Sequence, residues 1–356
     1  MRALRLHGPR DLQMHDEPVP EPGPGDVRIR IKSVGICASD LHYYRDGRIS
    51  STVITEPLVI GHEASGVVDA VGERVTDLAP GDRVAIEPAK PCMKCEFCLS
   101  GNYNVCPGIP FFGTPPTDGC LRDYVTWPAS LALKIPHQPK RLSFDEIAML
   151  EPLAIGVHAV WLAGLEPSAG CDPVRMDCVA ILGAGAVGLS VLQSLRAVGV
   201  SRVLVSDPVA ERRKLALRLG ADEVIDTSAV KPEDEIERLT GGHGVDIVFE
   251  CAGEDDALRQ ACRAARVLGK VIVLGIPDGD DYTFDASSAR RKQLSAVFVR
   301  RSNNTAERSI GLAVEGKVDL ACLATHRFPL ERTAEAMEFA IAKRDGVIRA
   351  IVAVSE

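Results

Sequence analysis

The segment Gly183-Ala184-Gly185-Ala186-Val187-Gly188 constrains this chain more than any other. It follows a short apolar run at 179–182 and opens a helical pattern that extends to Val198. A G-x-G-x-x-G turn carries meaning only in that strand-to-helix setting. The first glycine permits the tight turn, the second lets backbone approach a pyrophosphate, and the third lets helix and strand pack closely. Ala186 and Val187 open the helix, whose free N–H groups attract an anion. Asp207 ends the next apolar run, 19 residues after Gly188. A carboxylate there accepts hydrogen bonds from the adenosine ribose hydroxyls and repels a 2′-phosphate, which predicts NAD rather than NADP as cofactor. Arg212 and Arg213 follow closely and leave some room for a phosphate.

Around this turn strands and helices alternate. Residues 203–205, 224–225, 245–249 and 271–274 read as strands, with helical stretches such as 211–219 between them, and the alternation begins near Asp177. That pattern means βαβ units and a parallel sheet. The first 150 residues differ: short β-branched runs, such as 27–31 and 66–68, lie between turn signals such as Glu21-Pro22-Gly23-Pro24-Gly25. This is the punctuation of an all-β unit. Near the junction Ser143, with Glu146 three residues on, predicts a capped helix start. The tail after Val297 holds a helical stretch at 330–343 and a strand-like run at 347–352. A chain of 356 residues is expected to form about two domains.

Of eleven cysteines, Cys37, Cys120, Cys171, Cys178, Cys251, Cys262 and Cys322 are scattered, while Cys92, Cys95, Cys98 and Cys106 are bunched. The N-terminus runs from Met1-Arg2-Ala3-Leu4-Arg5 into His7 and Gly8 without an apolar secretory core, so a cytoplasmic location is the default expectation. In a reducing compartment bunched cysteines are expected to bind metal. Four thiolates at this spacing close a tetrahedral zinc site with no open position, and an iron–sulfur cluster is the other chemistry that uses them. A second set stands apart: Cys37, Asp40 and His42 in one segment, His62-Glu63 in another, and Glu151 before the nucleotide-binding half. A catalytic zinc needs about three protein ligands and one open position. Taken singly, each has an ordinary reading: Cys37 a core thiol, His62 a buried histidine, Glu151 a helix-end charge.

The net charge of −8 gives no global attraction for phosphate backbones, and aromatics at 4% offer few stacking platforms, so nucleic acid is excluded as a main partner. The most apolar stretch, 178–192, is broken by three glycines and is too short to span a bilayer.

Together these residues resemble the zinc-dependent medium-chain dehydrogenases, from end to end, and within them the sorbitol (polyol) dehydrogenases. The closer match is carried by GICASDLHYY (35–44), GRIS (47–50), GHEASGVV (61–68), FFGTPPTDGCL (111–121), EPLAIGVHA (151–159), FECAG (249–253) and THRFPLERTAEA (325–336). The resemblance implies an α/β Rossmann domain at 156–296 inserted into a β-rich GroES-like catalytic domain. That domain is formed by 1–155, with the zinc lobe at 92–106, and by the return segment 297–356. The active site is then expected in the cleft.

By the same resemblance a catalytic zinc is held by Cys37, His62 and Glu63, with water in the fourth place that Glu151 contacts or replaces. Which glutamate binds directly is left open. Alcohol dehydrogenases carry a cysteine at the position of Glu151, so the glutamate favours the polyol branch. All four lobe cysteines are kept, which implies a second, structural zinc. Ser39 and His42 are implied as a proton relay, Asp40 as the carboxylate that orients His62, and Tyr44, Phe112 and Thr114 as pocket walls. Arg349 is implied at the pyrophosphate. Arg300 matches a substrate-contacting arginine, whereas Arg301 stands where the family has tyrosine, a second cation suited to a carboxylate or phosphate.

The implied activity is oxidation of a sorbitol- or xylitol-type polyol to a ketose with hydride transfer to NAD, by a homo-oligomer, dimeric or tetrameric. Two rivals accompany it: a dehydrogenase of threonine, a vicinal diol or a sugar acid such as idonate, and an inactive NAD(H)-binding relative.

Overall fold

The alternation in the middle of the chain produces a continuous parallel sheet. In the computed structural model the described residues are 1–165, 178–279 and 281–355. Cys171, and the onset of alternation at Asp177, lie outside them. The chain divides into two compact units. One comprises Met1–Glu151, Ala306–Gly316 and Leu320–Glu356, and the other Pro152–Thr305 and Lys317–Asp319. The return to the first unit was expected at residue 297, but Arg300 and Arg301 belong to the second.

In the second unit the described strands run Glu223–Asp226, Val203–Asp207, Val179–Leu182, Val245–Glu250, Ala265–Val273, Ser295–Phe298 across the sheet. Every pairing is parallel. The middle strand, Val179–Leu182, is apolar and buried at all four positions, as a parallel strand covered on both faces must be. Strand order reverses between Val179–Leu182 and Val245–Glu250, and open α/β sheets bind ligands at the carboxyl ends beside such a switch point.

The first unit is built on one long strand, Asp26–Gly35, paired antiparallel with Glu63–Val71, Tyr124–Pro128 and Arg349–Ala353. Ala324–Pro329 adds parallel to the last of these. Sequence-distant segments thus share one core, in which Ile29, Ile31, Val34, Leu121, Leu330 and Val352 are buried. The register sets Gly35 opposite Glu63 on one side and Ile351 on the other. Cys37, two residues beyond Gly35, therefore emerges at the same sheet end as Glu63 and Arg349.

The expected helix at 330–343 begins as a tight 3₁₀ turn, Leu330–Arg332, before the α-helix Thr333–Ile341. The capped start at Ser143 forms. Glu146 N donates to Ser143 Oγ (3.2 Å), and the Ser143 amide donates to Glu146 Oε2 (2.8 Å). The helix it opens, Phe144–Ala148, is tied to the sheet: Ser65 Oγ donates to the Phe144 carbonyl (2.7 Å) and Ser33 Oγ to Asp145 (2.5 Å). Glu151 follows in the first turn of Leu150–Leu162, so the box fixes where that carboxylate starts. Among the described residues no helix is long and apolar enough to cross a membrane.

Burial alone would raise the Glu146 carboxyl, but Lys140 Nζ at 2.7 Å and the Ser143 N–H and O–H hold it below its usual 4.5. A carboxyl lowered on folding contributes stability above its unfolded value and loses it as pH falls through the folded one. Ser143→Ala is expected to cost about 1 kcal/mol. Glu146→Gln should destabilise at pH 7 and converge on the wild type below pH 4.5, as urea melts at several pH values would read.

Candidate active site

Three strand ends and one helix start meet at the end of the first unit's sheet. Cys37 precedes the helix Ala38–Asp46, while Glu63 opens the facing strand and His62 stands just before it. One oxygen or nitrogen of Glu63 and His62 and the Cys37 sulfur all lie within 4.8 Å of one another. Asp40, 1% exposed, holds this arrangement. Its Oδ2 accepts the Cys37 amide (2.9 Å), its Oδ1 accepts the Gly61 amide (3.0 Å), and Oδ1 faces His62 Nδ1 at 3.6 Å. With Nδ1 turned to the carboxylate, Nε2 is left for a metal.

Glu63 is fully buried. Arg349 Nη2 stands 2.8 Å from its Oε1, an ion pair without hydrogen-bond alignment, and both carboxylate oxygens lack a hydrogen-bond donor. Burial pushes this carboxyl up, against the pull of Arg349 and His62. The imidazole of His62 would be lowered by burial, but Asp40 and Cys37 reverse that and raise it. Glu151 is held up to about 8, by burial first and by the charge of Glu63, and its Oε2 is buried without a partner. Buried acceptors without donors cost free energy unless a cation or proton meets them. Thiolate, imidazole and carboxylate at this spacing are a zinc donor set, so the residues fit the ion.

The cysteine lobe fits as well. The sulfurs of Cys92, Cys95, Cys98 and Cys106 all lie within 4.8 Å of one another, with Cys95–Cys98 at 3.5 Å and Cys92–Cys98 at 4.0 Å. A tetrahedron with bonds of about 2.3 Å has sulfur–sulfur edges of about 3.8 Å. The Lys94 and Cys95 N–H groups lower the Cys92 thiol to about 6, whereas burial raises Cys98 to about 12. Among the scattered cysteines, Cys120, Cys178 and Cys262 are buried thiols.

In the second unit the phosphate turn is shaped by contact. Gly183 has φ +97°, and a Cβ at Gly188 would collide with the Gly183 carbonyl. Gly185 has open space around the position of a Cβ, and the helix it precedes, Ala186–Ala197, has no acid in its first turn. Asp207 has a duty that the sequence reading missed. It is 4% exposed, its Oδ2 accepts the Ala184 amide (2.8 Å) and its Oδ1 the Val209 amide (2.8 Å). Arg212 lies 3.9 Å from Asp207 Oδ2, and Arg213 is tied to the Asp207 carbonyl and to Asp226.

Three residues expected at the pocket or the cofactor are buried in other contacts. Phe112 is 1% exposed and stacked on Trp127, ring centroids 3.9 Å apart. The chain turns here, with the Thr114 amide closing on the Phe111 carbonyl, and it is Phe111 that lies against His62, ring centroids 5.2 Å apart. Tyr44 likewise belongs to the core. It is 3% exposed, its phenol raised by burial and by Glu338. Arg349, implied at the pyrophosphate, lies on a strand interior to the sheet, and its guanidinium meets Glu63 and donates to the Ile36 carbonyl (2.9 Å). Ser39 and His42 are half-buried, one turn apart on one helix. Thr114 lies in a turn, its amide donating to the Phe111 carbonyl (3.1 Å).

Gly35 makes room for the site, because a Cβ there would collide with Glu63 Oε2 and come within 2.6 Å of Met149 Cε. Gly35→Ala is expected to displace Glu63 and cut alcohol-dependent reduction of the cofactor at least about tenfold, the scale of an overpacked core. Gly8→Ala, with nothing within 4 Å, should leave the rate unchanged.

Residues 23–137 match the family profile of the alcohol dehydrogenase GroES-like domain, and residues 186–315 that of the zinc-binding dehydrogenases. A sorbitol dehydrogenase from Bacillus subtilis is 34% identical over 352 residues, 99% of this chain and 97% of that one. An L-idonate 5-dehydrogenase from Vitis vinifera is 35% identical over 348 residues, 97% of this chain and 92% of that one. The solved structure of an Escherichia coli alcohol dehydrogenase complexed with NADH superposes with a TM-score of 0.88 at 28% identity, covering 99% of both chains. The chain belongs to the zinc-binding medium-chain dehydrogenases, and its activity is that of an NAD(P)-dependent alcohol oxidoreductase.

Proposed function

We propose that this dehydrogenase oxidises a secondary alcohol of a sorbitol- or xylitol-type polyol to the ketose, with NAD as hydride acceptor and two zinc ions per chain. The observation that carries the reading is the metal cluster itself. Cys37 and His62 are joined by a buried carboxylate, Glu63, while Glu151 lies outside that group of three but feels the charges of His62 and Glu63. Sorbitol dehydrogenases among the full-length relatives support it.

Cys37, His62 and Glu63 would hold the catalytic zinc, and Cys92, Cys95, Cys98 and Cys106 the structural one. When bound, zinc supplies Lewis acidity at the alcohol oxygen, while NAD supplies the hydride acceptor. Asp40 keeps the His62 ring in one tautomer and orientation. Glu151 is a buried carboxyl beside the charges of His62 and Glu63, and Ser39 and His42, one turn apart on the helix Ala38–Asp46, would pass the hydroxyl proton towards solvent. The Asp207 carboxylate, fixed by two backbone amides, favours ribose hydroxyls over a 2′-phosphate and hence NAD.

A second reading, a sugar-acid dehydrogenase, is favoured by one feature: Arg301 adds a cation next to Arg300, and an L-idonate 5-dehydrogenase is among the relatives. Cofactor reduction on a panel of sorbitol, xylitol, butanediol, threonine and idonate separates the readings. The polyol reading predicts the highest kcat/KM on a sugar alcohol with NAD. It also predicts a loss of more than about 100-fold in Cys37→Ser, beyond what an outer partner of a metal site costs. Turnover of idonate alone, abolished by Arg301→Tyr, would transfer the protein to the acid branch.

A further inference from the structure

The carboxyl end of the second unit's sheet holds a buried acid that neither the metal chemistry nor the glycine turn accounts for. Glu250 ends the strand Val245–Glu250, paired with Leu182 on one side and Val273 on the other, so it stands at the switch point beside the phosphate turn. It is 1% exposed. Its Oε1 accepts the amides of Ala252 and Gly253, each at 2.8 Å, and its carbonyl accepts those of Leu274 (2.8 Å) and Gly275 (3.0 Å).

The Ala252 and Gly253 amides belong to a segment in contact with the turn. The Cys251 amide donates to the Leu182 carbonyl at 2.8 Å. A Cβ on Gly183 would stand 3.0 Å from the Ala252 nitrogen and 3.1 Å from the Cys251 carbonyl carbon, so the first glycine of the turn rests on the 251–252 backbone. A Cβ on Gly275 would stand 2.5 Å from Gly253 Cα and 2.6 Å from Glu250 Oε2. The segments 251–253 and 274–276 therefore close around this carboxylate, and the turn 183–188 rests on the first of them. On the other flank of the same turn, Asp207 holds the Ala184 amide.

We propose that Glu250 is a positioning residue for the nicotinamide cofactor: its carboxylate fixes the 251–253 turn as the shelf on which Gly183 of the phosphate turn rests. The proposal rests on the reading of residues 183–188 as the cofactor's phosphate turn. Burial raises this carboxyl against the pull of the Gly253, Ala252 and Gly275 N–H groups, so a neutral acceptor of the same shape suits the position. Glutamine offers one, because its carbonyl oxygen can accept the same two amides.

The test is NADH affinity by fluorescence titration, with steady-state kinetics, on zinc-replete wild type, Glu250→Ala and Glu250→Gln. Glu250→Ala is expected to raise the Kd for NADH and the KM for NAD at least about tenfold, the lower end for losing hydrogen bonds to a charged group. Its KM for the alcohol, kcat at saturating NAD, and zinc content should stay near wild type. Glu250→Gln should bind NADH within about threefold of wild type. Where Glu250→Ala does not fold, Glu250→Asp replaces it, since it withdraws the carboxylate by one methylene and is expected to move the KM for NAD the same way. The proposal is overturned if the alanine or aspartate variant binds NADH within about twofold of wild type, or if the glutamine variant loses as much affinity as alanine. A wild type that binds no NADH would overturn the cofactor reading itself.

Discussion

The metal-binding end of the first unit depends on one buried carboxylate. Asp40 takes the amide of Cys37 on one oxygen and that of Gly61 on the other, and the second oxygen also faces His62. A carboxylate that is 1% exposed is tolerable only because donors surround it. Those bonds fix the exit of the strand Asp26–Gly35 relative to the entry of Glu63–Val71, two segments already paired in register. Cys37 and His62, the ligands we propose, are thus positioned through the backbone at 37 and 61, and the imidazole through its ring. Glu63 needs a further concession: a glycine at 35, where any side chain would occupy its space.

The second unit uses the same device. Strand ends that must present backbone to a ligand cannot spend their amides on sheet pairing, so buried acids hold them. Asp207 holds Ala184 and Val209, and Glu250 holds Ala252 and Gly253. The glycine turn lies between these two. Its conformation is an outcome of contact with both neighbours as well as of its own glycines.

This division explains what could be read in the sequence. The strand–turn–helix at 179–197, the four close cysteines and the Ser143–Glu146 box are local patterns, and each forms where the spacing predicts. Side-chain direction is not local. Phe111 and Phe112 are interchangeable as letters, and only the stacking of Phe112 on Trp127, far along the chain, decides which one turns to His62. Tyr44, implied as a pocket wall by the family resemblance, packs in the core near Glu338. Arg349, implied at the pyrophosphate, sits on a strand enclosed by Asp26–Gly35 and Ala324–Pro329, with its guanidinium against Glu63. The duties of Asp207 and Glu250 towards backbone amides left no periodic or compositional trace.

The central claim is that two sets of residues, assembled by different means, each hold one zinc ion. An anomalous difference map recorded at the zinc edge from crystals of the zinc-replete protein tests it most directly. The account predicts two peaks per chain, one among Cys37, His62 and Glu63 and one among Cys92, Cys95, Cys98 and Cys106. A single peak in the cysteine lobe, with Glu63 paired only to Arg349 and no density beside Cys37 and His62, would contradict it.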